Sequence, residues 1–522
     1  MSRVFVAVFF AWALVSLPVV KAAPQRAASR PNIIFLLTDD QRDNTLGAMG
    51  HPFVHTPNLD RLLSQSVRFS NTYIAEPVCS PSRTSYFTGM HERMHGVGFT
   101  SSYQLTEEQW QASYPALLRK AGYYTGFIGK FGVEYYTFRG HASEKFDYWY
   151  AHDGWTRFFP KDFSSGSCRP YHGAREDVIT RIMGEGIGRF LDGLPEEQPF
   201  CLSVSFNVPH GSQTTSMYPD YPGWGRMSRP ANENPKLKGS RSYDTLYRNL
   251  AVPIPADTNT DPYRFIPKFI MDQDKGRRNR TYQYSYTRPT CREHHIRYYQ
   301  TITGLDHVIG NVLAELKRRR LAENTVILYA SDHGLLMGEY GMGGKALLYD
   351  LASKIPCFVY DPALPARRQG VEVEALVSSL DVTKTILDYA GAAAPEFMSG
   401  ESLRPLMEGK EVPWRDELFM ESLYTGRDTP FQEGVRWGKW KYIRMYDGKA
   451  PYDESDVDFA GREPDFEMLF DLEADSQEKN NLVESPADSE LLATLRKKCA
   501  EHSQKLNQRR DALKSTLRVQ RR

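Results

Sequence analysis

The chain has 522 residues, 41% of them hydrophobic and 25% charged. That composition excludes a disordered or fibrous protein, and the length suffices for one large domain with a satellite, each with a buried core. Lys and Arg total 65 against 64 Asp and Glu, a net charge of +1, so nothing global calls for a nucleic-acid partner and any anion binding must be local.

The N-terminus, "MSRVFVAVFFAWALVSLPVVKAAPQ", carries Arg3, an apolar run from Val4 to Val20, then Ala22 and Ala23. This is the pattern of a secretory signal peptide over residues 1–22. No later stretch is long and apolar enough to span a bilayer. The expected mature protein is therefore exported (periplasmic, extracellular or lumenal), with no stable membrane insertion after cleavage. Export permits disulfides. The six cysteines, at 79, 168, 201, 291, 357 and 499, are widely spaced with no CxxC pair, so no pairing can be read from them.

Apolar runs of strand length recur along the chain, most of them followed by a polar cluster. "NIIFLL" (32–37) leads into "TDD", "YYTGFIG" (123–129) into Lys130, "FCLSVSF" (200–206) into "NVPHG" and "TVILYA" (325–330) into "SDHG"; "PCFVY" (356–360) follows. Continuous apolar runs suit strands covered on both faces of a largely parallel sheet. Helical patterns lie between them. "TPNLDRLLSQ" opens with Thr56 as N-cap and Pro57 at the first helical position. The stretch 296–317 repeats Ile302, Leu305, Ile309, Val312 and Leu316 at spacings of three and four. The alternation predicts a doubly wound, mostly parallel α/β sheet flanked by helices over residues 27–395. Residues 211–292, rich in Tyr, Pro, Asn and Arg, read as an insertion and a candidate for substrate contact. Beyond "AGAAAPEFMSG", the segments "LFMESLY", "EGVRWGKWKYIRMY" and "EMLFDLEAD" predict antiparallel strands of a smaller C-terminal α+β subdomain over 412–485. A basic helical tail over 486–522 reads as a solvated face.

In open α/β sheets, ligands bind beyond the carboxyl ends of the strands, which is where the polar clusters fall. Asp39 and Asp40 alone would read as a turn or cap. Together with Asp332 and His333 from another strand end they make a cation cage, since adjacent carboxylates repel unless a cation separates them. Mostly oxygen ligands favour Ca²⁺, then Mg²⁺; the imidazole leaves Zn²⁺ open. Lys130, His210 and Lys345 sit at further strand or loop ends, Lys345 within the glycine-rich "GMGGKALLYD". Each lysine alone is more often a surface charge. Two ammonium groups, a guanidinium and a divalent cation around one cavity would bind a tetrahedral anion.

Cys79 begins "CSPSRTSYFTG", which resembles the signature of the formylglycine-dependent sulfatases of the alkaline phosphatase-like superfamily: Cys, any residue, Pro, any residue, Arg, then a run ending Thr-Gly. "RPNIIFLLTDDQ", "TPNLDRLLSQSVRFSNTY", "GYYTGFIGK", "FNVPHG", "ENTVILYASDHGLLMGEYGMGGKALLYD" and "EGVRWGKWKYIR…LFDLEADSQEKNNL" resemble family segments in family order. The resemblance implies that a formylglycine-generating enzyme oxidises Cys79 to Cα-formylglycine. It further implies that Asp39, Asp40, residue 79, Asp332 and His333 bind one divalent metal, that Arg83 holds the diol of hydrated formylglycine, that Lys130 and Lys345 grip sulfate, and that His210 protonates the leaving alcohol. One hydroxyl of the diol would attack sulfur and the second would expel sulfate, which a thiol lacks the group to do. His333 stands where Asn is common in the family; a His there resembles a subset that includes iduronate-2-sulfatase.

One position departs from the pattern. Many members carry a histidine two residues after the lysine matching Lys130, and "GKFGVEYY" places Gly132 there; His95, Glu134 and His141 are the nearby substitutes in sequence. The implied function is hydrolysis of a sulfate ester on a sulfated small molecule or glycan, with carbohydrate expected from export, the Tyr-rich insertion and family habit. Two alternatives stand beside it: a phosphodiesterase or phosphonate monoester hydrolase of the same superfamily, and a non-hydrolysing protein that binds sulfated glycan, which only Gly132 favours.

Overall fold

The run "NIIFLLT" becomes the central strand because both of its faces are apolar. Ile33, Phe35 and Leu37 enter one core layer, and Ile34 and Leu36 enter the other. The computed structural model describes residues 30–99, 105–133, 142–154, 156–218, 229–258, 260, 264–268, 288–423, 430–446, 457–485, 487 and 489–516. The proposed signal peptide, Glu134, His141 and the last six residues of the tail lie outside the described residues.

In chain order the strands of the large sheet are β1 (Asn32–Thr38), β2 (Val67–Tyr73), β3 (Tyr124–Lys130), β4 (Tyr148–His152), β5 (Phe200–Ser205) and β6 (Thr325–Ser331). A short ribbon, β7 (Leu336–Met337) with β8 (Gly343–Gly344), precedes β9 (Cys357–Tyr360) and β10 (Val371–Ser378). The eight-stranded sheet has the order β10-β2-β9-β6-β1-β5-β3-β4. Every pairing is parallel except the two made by β9, which runs antiparallel to β2 and to β6. "PCFVY" thus joins the sheet in the opposite direction to the other strands. Hydropathy reports that a strand is buried on both faces; direction depends on the connection, and no crossover helix packs β9 back onto β6.

Helices cover both faces, as the doubly wound pattern requires. On one side lie α1 (Pro57–Leu63), α5 (Ile179–Asp192) and α7 (Arg288–Arg318). On the other lie α2 (Cys79–Thr88), α4 (Tyr114–Lys120) and α8 (Ser379–Ala390). Between these, α3 (Glu92–His95) follows α2, and α6 (Gly211–Thr215) follows β5. Described parts of the insertion pack down onto α7: Ala231, Leu237, Tyr243, Tyr247 and Val252 are buried in its core layer. Glu293 of α7 accepts hydrogen bonds from Ala231 N, Arg248 and Arg297.

The C-terminal unit is a four-stranded antiparallel sheet, β11 (Glu417–Ser422), β12 (Phe431–Trp437), β13 (Trp440–Tyr446) and β14 (Phe466–Asp471). The tail helix α9 (Ser489–Thr516) is amphipathic. Lys497 and Lys505 face solvent, while Leu492, Leu495, Cys499, Leu506 and Leu513 are buried with Phe419, Val435, Tyr442 and Leu469. Its charge is therefore a solvated face on one side only. Arg93 of α3 is fully buried at the seam between the units. It pairs with Glu421 and Glu433 and donates to Ser503 Oγ and Asn507 Oδ1 of α9. A buried guanidinium demands such partners, because an unpaired one costs several kcal/mol, on the order of 3–5. None of the six cysteines is in a disulfide, and all are buried. Among the described residues, no helix is long and apolar enough to cross a membrane.

Candidate active site

Four adjacent strands, β6, β1, β5 and β3, end side by side, and the winding reverses at β1. Their carboxyl ends are stitched together by backbone bonds: Asp332 N donates to Thr38 O at 3.0 Å, and Asp39 N to Val208 O at 3.2 Å. Asp39 and Asp40 follow β1, Lys130 ends β3, His210 follows β5, and Asp332 and His333 follow β6. All six are buried. Asp40 has φ +67°, a left-handed conformation that Asp tolerates better than most L residues. Its N–H is held by Asp332 Oδ1 at 3.1 Å.

Cys79 is the first residue of α2, after the extended N-cap Val78. The end of a ten-residue helix there favours a negative group. Cys79 Sγ lies 2.6 Å from Lys345 Nζ, 3.2 Å from His333 Nε2 and 3.9 Å from Asp39 Oδ1. Lys345 Nζ also donates to Asp40 Oδ1 at 2.8 Å, and Lys130 Nζ to Asp39 Oδ2 at 2.6 Å. Single ligand atoms of Asp39, Asp40, Cys79 and His333 all fall within 4.8 Å of one another. Asp332 is placed differently. Its Oδ2 accepts from Arg83 Nε (3.1 Å) and Nη2 (2.7 Å), so its charge is largely taken up by the guanidinium. Arg83 also donates to Lys130 O at 3.1 Å and to Ser205 Oγ. It binds the carboxylates and strand ends around residue 79.

Hydrogen bonds fix the imidazole tautomers. His333 Nδ1 donates to Gly334 O at 2.9 Å, leaving the Nε2 lone pair towards Cys79. His210 caps α6, and its Nδ1 accepts from Ser212 N at 3.0 Å, so Nε2 carries the proton, 3.8 Å from Asp40 Oδ2. Burial lowers both histidines, that of His210 far below the ordinary value, and both are neutral near pH 7. Burial alone would raise Asp39, but Lys130, His210, Arg83 and Lys345 overcome it and hold that carboxyl well below the usual range. Asp40 goes the other way. Burial pushes it up to about 6 against the pull of Lys345 and His333, with Asp39 and Cys79 reinforcing the rise.

Gly132 has a structural reason. Its φ is +72°, and a Cβ there would lie 2.6 Å from Arg83 Cδ. A histidine at this position would collide with the anchored arginine. Of the substitutes weighed from sequence, His95 is committed elsewhere: Nδ1 accepts from Val97 N at 3.0 Å and Nε2 lies 3.1 Å from Ser85 Oγ. The imidazole that does lie beside the site is His152, at the end of β4 and in register with Lys130. Its Nε2 meets Asn207 Nδ2 at 3.0 Å and its Nδ1 meets Tyr171 OH. Burial, then Lys130 and Arg83, push it down to about 3, so it adds no charge to the lysine beside it. The run "FDYWYAH" could have exposed it as another strand ending in a polar residue. Asn207 and Ser205 follow from the same rule applied to β5.

Residues 31–392 match the family model described as Sulfatase. The chain belongs to the sulfatase family. Residues 338–505 of this sulfatase further match the model described as N-sulphoglucosamine sulphohydrolase, C-terminal. The enzyme is a sulfuric ester hydrolase. It is 26% identical over 497 residues to an N-acetylglucosamine-6-O-sulfatase of Bacteroides thetaiotaomicron, covering 88% of this chain and 84% of that protein. Its fold is similar to that of a protein solved in complex with its substrate D-glucosamine-2-N,6-O-disulfate, with TM-score 0.67, 21% identity and coverage of 92% and 98% of the two chains. It is equally similar to the phosphonate monoester hydrolase of Silicibacter pomeroyi, with TM-score 0.67, 22% identity and coverage of 91% and 95%. Both structures have the same α/β sheet architecture.

Proposed function

We propose that this sulfatase is exported and hydrolyses a sulfate ester of a sulfated carbohydrate, with formylglycine at position 79 and one divalent cation, Ca²⁺ first. The observation that carries the reading is the shell around Cys79 Sγ: two lysines, an arginine, two neutral histidines and three carboxylates converge at four strand ends. The carbohydrate part is supported by the relative named for N-acetylglucosamine 6-O-sulfate chemistry and by the sugar disulfate bound to the structural neighbour. Export is supported by the signal-like N-terminus. Residues 27–395 are taken as the catalytic unit with 211–292 inserted, 412–485 as the subdomain and 486–522 as the tail.

The residues suit a hard divalent cation. Asp39, Asp40 and His333 surround Cys79 Sγ, which stands in for an oxygen of hydrated formylglycine, and Asp332 Oδ1 lies beside them. Asp39, Asp40, Asp332, His333 and residue 79 would hold the ion, which would lower the pKa of an oxygen ligand and offset charge on the sulfate group. Formylglycine would supply, as its hydrate, one hydroxyl to attack sulfur and another to expel sulfate.

The chain's own groups do the rest. Lys130, bonded to Asp39, and Lys345, bonded to Asp40, bind sulfate oxygens. Arg83 fixes Asp332 and Asp39, so the donor set is preorganised. His210 presents Nε2–H to the leaving oxygen, a contribution of typically about 10²–10⁴-fold for such proton donors. Gly132 no longer favours a binding-only protein, since Arg83 occupies the space a histidine would need. The test is a turnover screen of the matured enzyme on aryl sulfate, sulfated oligosaccharides and aryl phosphodiester. Sulfated sugars should be turned over fastest; faster phosphodiester turnover would give the reading to phosphorus chemistry.

A further inference from the structure

Lys345 sits on a loop with little regular structure: the strand before it, β8, is only Gly343–Gly344. Yet its ammonium lies 2.8 Å from Asp40 Oδ1 and 2.6 Å from Cys79 Sγ. A four-carbon stem holds such a point only if its backbone is fixed, because a lysine loses much rotamer freedom on ordering. The next residue supplies the fixing. Ala346 is fully buried and has φ +70°, in the left-handed region. Its N–H donates to Pro77 O at 3.0 Å, two residues before Cys79. Its carbonyl accepts two bonds from the C-terminal sheet, from Ser422 Oγ at 2.9 Å and Gln432 Nε2 at 2.6 Å. Gln432 Oε1 in turn accepts from Leu348 N at 3.2 Å. Ser422 and Gln432 are direct cross-strand partners on β11 and β12, and both are fully buried.

We propose that Gln432, aided by Ser422, is a positioning residue for catalysis: the C-terminal sheet clamps both sides of Ala346–Leu348 and so sets the height of the Lys345 ammonium over residue 79. The inference deepens the reading of Lys345 as a sulfate-binding group and rests on it. Its physical basis is that, among the described residues, both ends of the Gln432 amide bond to this loop. An apolar side chain there leaves Leu348 N–H without Gln432 and removes one of the three hydrogen bonds that hold a left-handed Ala346, so the loop relaxes towards an easier conformation. A displacement near 1 Å of a reacting group costs on the order of 10²-fold in rate.

The experiment is a double-mutant cycle on the full-length, matured enzyme. Gln432→Leu, Lys345→Ala and the pair are compared with the parent for kcat/KM on an aryl sulfate and for inhibition by inorganic sulfate. Lys345→Ala should lose on the order of 10²–10³-fold, and Gln432→Leu about 10–10²-fold with weaker sulfate inhibition. The pair should be no slower than Lys345→Ala by more than about two-fold, because both substitutions remove one interaction. A Gln432→Leu loss that multiplies fully onto Lys345→Ala overturns the clamp, since a purely structural role acts in either background. So does a Gln432→Leu enzyme that matches the parent. Should Gln432→Leu not fold, Ser422→Ala, which removes one donor, replaces it in the same cycle with the same two outcomes. Unchanged turnover in Lys345→Ala itself overturns the sulfate-binding assignment and the clamp together, whereas a loss there with multiplicative Gln432→Leu behaviour overturns the clamp alone.

Discussion

Gly132→Ala adds one methyl group, and the structure makes it expensive. Two costs combine. The backbone sits at φ +72°, where an L side chain costs roughly 1–2 kcal/mol. The new Cβ would stand 2.6 Å from Arg83 Cδ and 3.3 Å from Nε, whereas ordinary contact begins at 3.4 Å. Arg83 Cδ would have to withdraw by about 0.8 Å. It cannot swing aside freely, since its guanidinium makes two bonds to Asp332 and others to Lys130 O and Ser205 Oγ. Shifting it disturbs Asp332 and Asp39 together. Misplacing a preorganised charged group costs on the order of 10²-fold, so kcat/KM on an aryl sulfate should fall by about that factor. Gly438→Ala is the matched control: its φ is +53° and nothing lies within 4 Å of its Cβ. It carries the backbone cost without the collision and should keep parental turnover. A Gly132→Ala enzyme as active as the Gly438→Ala enzyme would refute the packing argument, and with it the account of why the family histidine is absent.

Other expectations are simpler to state. Cys79→Ala should abolish turnover while leaving the thermal midpoint unchanged, and mass spectrometry of the 76–89 peptide from the native host should find an aldehyde in place of the thiol; retained turnover would contradict the assignment of residue 79. Chelation should remove activity and Ca²⁺ should restore it, followed by rate and by metal content of the protein. Arg93→Met leaves buried Glu421 without its guanidinium, while Glu433 keeps Arg444, and should lower stability by about 3–5 kcal/mol, read as a drop in thermal midpoint. His95 is pushed down to about 3 by burial, whereas an unfolded histidine titrates near 6.5. Between those values the unfolded chain binds a proton the folded chain refuses, so stability is full above about 6.5 and falls on acidification by roughly 1.4 kcal/mol per pH unit for this residue. The drop in thermal midpoint between about pH 7 and about pH 5 should therefore be smaller in His95→Gln than in the parent; an equal drop counts against it.

The central sheet was legible because β1, β3, β5 and β6 are covered on both faces and write themselves as unbroken apolar runs. The site was legible for the same reason: each run ends in the residues that converge, Asp39 and Asp40, Lys130, His210, Asp332 and His333. Strands that alternate were harder to see. β10 reads "VEVEALVS", exposed at Glu372 and Glu374, and sits at the sheet edge, while β4 takes half-buried aromatics and ends in His152. Residues that act through packing left no local mark. Nothing in "GKFGVEYY" announces that Arg83 fills the space beside Gly132, because that contact spans 49 residues of chain. Gln432 is one polar residue in a strand, and only the paired register with Ser422 reveals what it holds.

The seam at Arg93 has a consequence for how the chain is made. Its partners Ser503 and Asn507 lie 410 and 414 positions downstream. At about 5–20 residues per second, a ribosome takes roughly 20–80 s to cover that distance, and for that interval the segment following Cys79 lacks its permanent cover. In the finished fold Cys79 is 3% exposed. An enzyme that oxidised it would have to reach it before that burial is complete, on the nascent or newly released chain.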